Sequence, residues 1–209
     1  MKTKLLPQLF IIYLRYALGF AFVFASIVKI LGLRFTSSSG ADFPINTSWH
    51  FFETMYQSGL YWKFMGWGQL ITGLLLLTQK YAKLGAILFL PIMLNIFVIT
   101  ISYDFKGTPF ITASMLLANI LLIAWDWNTL KVLIHQEITK EQAPLLEHVN
   151  IWMYLGWLLF GLSIALKLVA SPLAAILLFF TIMAAGIIGS VLAVKKYKKL
   201  QYKSLNSVM

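Results

Sequence analysis

Six long apolar stretches follow one another along the chain, separated by polar segments that carry most of the charges. Each stretch supplies about the 20 residues that a helix needs to cross the core of a bilayer. We therefore predict an all-α, polytopic helical membrane bundle. Its six membrane helices are predicted at residues 8–33, 62–79, 83–103, 109–131, 150–169 and 172–194.

Two of the polar segments are long and divide the chain. The first becomes amphipathic around residues 48–60, which predicts a helix lying on the outer membrane surface. The second is mixed in charge, and we predict a cytoplasmic linker there that is broken at Ala143-Pro144. The predicted units are a four-helix core over residues 1–133, the linker over 134–149, a two-helix hairpin over 150–194 and a basic tail over 195–209.

Composition and charge agree with a membrane location. Of the 209 residues, 60% are hydrophobic and 11% are charged, whereas a soluble domain carries about 25% charged residues. Lysines concentrate on one side of the predicted spans, so the positive-inside rule predicts a multi-pass inner-membrane protein with both termini in the cytoplasm. The net charge of +10 lies largely beside apolar stretches, which favours lipid headgroups of the bilayer as partner and no nucleic acid.

The residue types also restrict the chemistry. The chain has no cysteine, which excludes disulfides, thiol redox reactions and thiolate metal sites. His50 and Glu53 are spaced to share one face of the surface helix, where with Asp42 they could bind a metal or relay a proton. Polar neighbours on a surface helix are more often solvated, so we predict no metal site. Glu53 is expected to pair with Lys29 or Lys63.

Polar side chains interrupt the apolar stretches at a common depth. Counting 1.5 Å per residue from the helix ends places Gln69, Asn95 and Asn119 roughly 10–15 Å below the outer surface. Thr72 lies one turn below Gln69, and Lys29 lies above this layer. Buried polar groups need partners. Either the amides bond to one another and hold the bundle together, or they and Lys29 line a ligand pocket entered from the outer leaflet.

A pair of opposite charges is predicted near the cytoplasmic surface. Arg15 and Asp126 both lie roughly 8–10 Å below it. An unpaired charge at that depth is costly, so the two side chains should approach each other, directly or through Tyr16 or a water. The first interpretation is a structural ion pair, and the alternative is a proton or ligand site.

A set of short motifs is spread in order over the first four predicted helices, about residues 8 to 133. They are Arg15-Tyr16-Ala17-Leu18-Gly19 with Lys29, Gly66-Trp67-Gly68-Gln69-Leu70-Ile71-Thr72-Gly73, Leu84-Gly85-Ala86, Pro91-Ile92-Met93-Leu94-Asn95-Ile96, Gly107-Thr108-Pro109, and Asn119 with the run to Asp126. In this order and spacing the motifs resemble the DoxX family of small integral membrane proteins, with its DoxX-like and DoxD-like four-helix core.

The resemblance implies a four-helix membrane core whose interior the polar residues line or support. Some relatives in this family are subunits of quinone-linked oxidoreductases, including a thiosulfate:quinone type. The chain departs from the family pattern at Ser26, where glycine is common, and in the added hairpin after residue 150. Without cysteine, a thiol-based sulfur reaction within this chain is excluded.

The expected function is that of a DoxX-type inner-membrane accessory subunit. It would bind a quinone or lipid-like molecule in the outer-leaflet polar pocket and could serve a redox complex. Any catalysis would be as a subunit of a quinone-linked oxidoreductase, with a bound quinone and no covalent cofactor. The alternative is a non-catalytic assembly or scaffold factor whose C-terminal hairpin docks another membrane protein. A transporter is less favoured, because no inverted repeat is visible.

Overall fold

The computed structural model describes residues 4–36, 39–103, 105–137, 145–169 and 171–206 of the chain. Within these ranges the protein is all-helical, with seven α-helices and no strand. Two 3₁₀ turns, Lys131–Ile134 and Leu146–His148, lie between the fifth and sixth helices. The α-helices are α1 (Leu5–Ile30), α2 (Ser48–Gln57), α3 (Leu60–Leu77), α4 (Ala82–Ser102), α5 (Thr108–Leu130), α6 (Ile151–Leu168) and α7 (Pro172–Asn206).

Five helical stretches in the described residues are long and apolar enough to cross a membrane. They belong to α1, α4, α5, α6 and α7, and the one in α5 extends to Leu133. Helix α3 has 18 residues, but Lys63 and Gln69 lower its mean hydropathy. The protein is therefore a helical bundle of membrane type, and the sixth predicted span stays a prediction.

Helix α1 runs through the middle of the bundle and packs antiparallel against α3. The two backbones nearly touch, since a Cβ on Gly19 would lie 2.8 Å from the Gly73 oxygen. On its other side α1 faces α4, where the rings of Phe22 and Phe89 stack with centroids 3.8 Å apart. Leu122 of α5 completes this core and is fully buried. Close packing along α1 thus fixes the heights at which polar side chains from different helices meet.

Helix α6 packs directly on α1 and α3. A Cβ on Gly156 would lie 1.9 Å from the backbone oxygen of Leu77, so only glycine fits this crossing. Trp152 is fully buried, and its backbone oxygen accepts a hydrogen bond from the Tyr16 hydroxyl at 2.6 Å. The hydroxyl of Tyr16 therefore joins α1 to α6.

The predicted linker 134–149 is packed into the protein in its second part, which corrects the expectation of a polar connection. Leu146 is fully buried and Val149 is 3% exposed. The Leu146 amide donates to the side-chain oxygen of Gln8 on α1. These apolar side chains face the bundle because burying them removes apolar surface from water. The predicted break at Ala143-Pro144 lies outside the described residues.

Helix α7 is longer than the predicted span. It continues for 35 residues to Asn206, so the first lysines of the predicted basic tail stand on a helix. Tyr197 is 3% exposed, and its hydroxyl accepts a hydrogen bond from Gln8 at 3.4 Å. The helical end of α7 is thereby attached to the beginning of α1.

Candidate functional site

One end of the bundle, called here the α2 end, is covered by the short helix α2. Thr47 caps this helix, since its side-chain oxygen accepts a hydrogen bond from the His50 amide at 3.4 Å. The helix lies close to the range 48–60 that the sequence predicts. Its apolar side chains Phe51, Phe52 and Met55 face a cavity beneath it. Helix α2 therefore serves as a roof over the interior of the bundle.

Glu53 holds this roof to the loop that precedes it. Arg34 donates from Nε to one carboxylate oxygen and from Nη2 to the other, both at 2.9 Å. The amide of Gly40 also donates to Glu53, at 3.2 Å. The hydrogen bonds from Arg34 are the main reason that the pKa of Glu53 is lowered to about 2. The predicted pairing with Lys29 or Lys63 is wrong, because the loop brings Arg34 to this carboxylate instead.

A cavity of about 280 Å³ lies beneath α2, between α1, α3, α4 and α5. This is close to the lower end of the volumes typical of small-molecule sites. The walls are mostly aromatic rings and methionines, which sequence reasoning did not assign to the site. The main apolar lining residues are Phe22, Phe51, Phe52, Trp62, Met93 and Met115.

Three of the predicted ligand-binding residues reach this cavity: Lys29, Gln69 and Asn95. Lys29 and Gln69 are buried, whereas Asn95 is exposed. The side-chain oxygen of Gln69 is buried and has no hydrogen-bond partner among the described residues. Thr100 and Thr112 also line the cavity, but their hydroxyls bond to each other at 2.9 Å. Lys29 and Gln69 are therefore the buried polar groups best placed to meet a ligand.

Thr72 and Asn119 do not line this cavity, although both are buried. Asn119 is fully buried, and neither its side-chain nitrogen nor its oxygen has a hydrogen-bond partner among the described residues. Counting residues gives the height of a side chain but not its direction around the helix axis. The expected single layer of three amides is thus divided, and Asn119 lies outside the cavity.

The other polar residues singled out at the α2 end are His50, Glu53 and Asp42. Among the described residues, no group of three or more histidine, cysteine, aspartate or glutamate side chains could hold a metal ion. The carboxylate of Glu53 bonds to Arg34, while the Nδ1 atom of His50 is buried and has no hydrogen-bond partner in the described part of the chain. Asp42 is exposed.

At the opposite end of the bundle, the Arg15 guanidinium joins three segments of the chain. Its Nη2 atom lies 2.7 Å from Asp126 Oδ2 on α5, so the structure places the two predicted partners in direct contact. Its Nη1 atom donates to Glu147 at 2.6 Å and to Gln79 at 3.3 Å. Arg15 is 1% exposed and Asp126 is 3% exposed. Tyr16 does not mediate this contact, because its hydroxyl bonds to Trp152.

Glu147 and Gln79 were not predicted as members of this cluster. Glu147 is 11% exposed, and burial alone would raise the pKa of its carboxyl. The charge and the hydrogen bond of Arg15 outweigh burial and lower this pKa below its ordinary value. The apolar pair Leu145-Leu146 just before Glu147 is the sequence signal that could have indicated a packed segment.

Comparisons with known proteins identify similarity but no activity. No family model matches the chain, and no solved structure matches it significantly. Over 86 residues, 41% of this chain, it is 35% identical to the uncharacterized protein YwoB of Bacillus subtilis (strain 168). The match covers 53% of that protein, so it spans about half the length of this curated relative.

Proposed function

We propose that the chain is a DoxX-type accessory subunit of the inner membrane that holds a quinone or lipid-like molecule in the cavity beneath α2. In this proposal α3 is the sixth membrane span, both termini are cytoplasmic, and α2 lies on the outer surface. The chain could then serve a redox complex, as the resemblance to the family suggests. A bound quinone would supply two-electron redox chemistry, and the protein would supply binding and orientation.

The single observation that carries the proposal is an apolar cavity into which buried polar groups converge. Its volume is about 280 Å³, and Lys29 and Gln69 stand among aromatic and methionine side chains. Small-molecule sites have this composition, with mostly apolar walls and a few polar groups that fix orientation. The fit to a quinone or lipid head is chemical: the Lys29 ammonium and the Gln69 amide can donate hydrogen bonds to its oxygens.

The bonding of the amides also favours a ligand over a purely structural layer. If these side chains only held the bundle together, they should bond to one another. Instead the Gln69 oxygen and both polar atoms of the Asn119 side chain have no partner among the described residues. A buried acceptor without a donor costs about 1–3 kcal/mol. A ligand group that donates a hydrogen bond to this oxygen, such as the hydroxyl of a quinol or of a lipid head, would recover part of this cost.

Native mass spectrometry of the full chain from a mild detergent tests the proposal. The wild-type protein should retain a small hydrophobic molecule, and Gln69→Leu should lose most of it. The matched control is Asn119→Leu, which also removes a buried amide but lies outside the cavity and should leave retention unchanged. Equal retention by wild type and Gln69→Leu, or no bound molecule in wild type, would contradict the proposal.

The second candidate is an assembly or scaffold factor that docks another membrane protein. It is favoured by helix α7, where Leu173, Phe180 and Ile187 are each more than 60% exposed. On a neighbouring face of α7, a Cβ on Gly186 would meet nothing within 4 Å, so a closely packed helix could be accepted there. A partner protein at fixed stoichiometry in the same spectra, lost on Gly186→Phe and without a bound small molecule, would support this alternative.

A further inference from the structure

The side chain of Lys29 turns into the bundle instead of out toward the surface. Its ammonium donates to the backbone oxygen of Ala25 at 2.9 Å, one helical turn deeper along α1. It lies over the rings of Phe35 and Trp62, 5.0 and 5.2 Å from their centroids. Lysines near the end of a membrane helix usually extend toward water. This one is 7% exposed and lines the cavity wall.

No acidic side chain pairs with Lys29 among the described residues. Asp42, the nearest carboxylate in sequence, is exposed, and Glu53 is bonded to Arg34. Asp126 and Glu147 lie at the opposite end of the bundle, bonded to Arg15. A buried cation without a counter-charge is costly. An anion entering the cavity from outside the chain would therefore gain more from Lys29 than a neutral molecule would.

Gln69 stands one step deeper than Lys29 on the facing helix. Gly66 packs against Lys29, since a Cβ on this glycine would lie 2.8 Å from the lysine Cβ. Gln69 follows Gly66 by three residues, which places it about 4.5 Å deeper along α3. Its amide can present either a donor or an acceptor after a half-turn. Together the ammonium and the amide form a head-group site at the top of the cavity.

Below this head-group site the walls are apolar. Phe22 lies seven residues before Lys29 on α1, about 10 Å deeper, and Met93 and Met115 face the same space. A volume of about 280 Å³ suits one acyl chain better than two. A chain that points inward from a head group at Lys29 has the same orientation as a lipid of the outer leaflet.

We propose that the cavity binds a single-chain amphiphile with one anionic head group, a fatty-acid carboxylate, with the head at Lys29 and Gln69. The inference rests on the proposed function. Of the two ligand classes named there, it favours the lipid-like molecule over a neutral quinone. One cation balances one negative charge, so a doubly charged alkyl phosphate would keep an uncompensated charge in an apolar site. Lys29 is then the residue that determines head-group specificity.

A matched pair of probes tests the inference on the purified full chain in a non-ionic detergent. By isothermal titration calorimetry, dodecanoic acid should bind about tenfold more tightly than its methyl ester, which is about 1.4 kcal/mol. Lys29→Met should reduce affinity for the acid to that for the ester, and Lys29→Arg should keep the difference. The control is Lys63→Met, an exposed lysine on α3, which should change neither affinity.

Several outcomes would overturn the inference. Equal affinity of wild type for acid and ester, or unchanged binding of the acid by a folded Lys29→Met protein, would show that the cation does not select the head group. Tighter binding of dodecyl phosphate than of the fatty acid would exclude the carboxylate. If neither probe nor a decyl quinone binds, the proposed function itself fails, whereas a decyl quinone that binds as well as the acid contradicts only the inference.

Discussion

At one end of the bundle Arg15 donates hydrogen bonds to the carboxylates of Asp126 and Glu147. At the other end Lys29 faces a cavity, and no carboxylate of the described residues lines that cavity. Both cations stand on α1, and both are at least 93% buried. In the Arg15 cluster the chain supplies the counter-charges, and among the described residues only the Nε atom of the guanidinium has no hydrogen-bond partner. At the cavity the described residues leave the Lys29 ammonium without a carboxylate and the Gln69 oxygen without a donor, which is costly for stability and useful for binding.

The largest expected effect is the difference in stability between two single variants, in which either buried cation is replaced by methionine. Arg15→Met leaves two carboxylates near each other without their counter-charge, and the free energy of unfolding should fall by about 3–5 kcal/mol. Lys29→Met removes a cation without such partners, and the fall should be about 1 kcal/mol or less. Unfolding by titration with sodium dodecyl sulfate in mixed micelles measures both. Equal losses would contradict the distinction between the two ends.

Glu147→Gln tests whether the segment around the turn Leu146–His148 is held by charge. Loss of the charge-assisted hydrogen bond to Arg15 should lower the free energy of unfolding by about 2 kcal/mol. Because the pKa of Glu147 is lowered in the fold, its contribution is present above the ordinary carboxyl pKa of about 4.3 and is lost as pH falls. Wild type should therefore lose stability below about pH 4.3. Identical pH profiles for the two proteins would contradict this role.

Asn119→Leu should stabilise the fold, by about 1 kcal/mol, because the buried amide has no partner among the described residues. The matched control is Gln8→Leu. Its amide bonds to Leu146 and to Tyr197, so its removal should destabilise by a similar amount. Both changes are measured by the same unfolding titration. A loss of stability in Asn119→Leu would show that this amide is bonded within the bundle.

Glu53→Gln should give the smallest effect on the protein, a faster local opening of helix α2, the roof of the cavity. Weaker hydrogen bonds to Arg34 and Gly40 should let α2 open more often, so its backbone amides should exchange with deuterium several-fold faster. Since the pKa of Glu53 is about 2 in the fold, wild type should approach the exchange rate of the variant as pH falls from about 4.3 toward 2. Exchange in α6 serves as the internal control, and equal acceleration there would contradict a local effect.

The sequence was most informative where the free-energy cost of burying a side chain depends only on its depth in the bundle. The approach of Arg15 to Asp126 follows from their common height and from the cost of an unpaired charge. The apolar stretches locate the helices for the same reason, although α7 continues past its predicted end. Depth did not reveal that Asn119 lies outside the cavity, because the direction of a side chain depends on how helices rotate against one another.

Contacts made by loops were beyond sequence reasoning for a different reason. The partner of Glu53 is Arg34, which is brought near by a connection whose path has no periodic pattern. Glu147 lies in a segment that reads as polar, and only its neighbours Leu145 and Leu146 indicate burial. The aromatic roof of Phe51 and Phe52 could be assigned to a surface helix, but not to a cavity beneath it.

The near contact of Gly19 with Gly73 limits where a bound molecule can move within the protein. These residues lie one turn or less below Phe22 in the bundle, and their backbones leave no room even for a methyl group between α1 and α3. The space under α2 is consequently closed between α1 and α3 at this level. A molecule in the cavity cannot pass between these two helices at the height of Gly19 and Gly73.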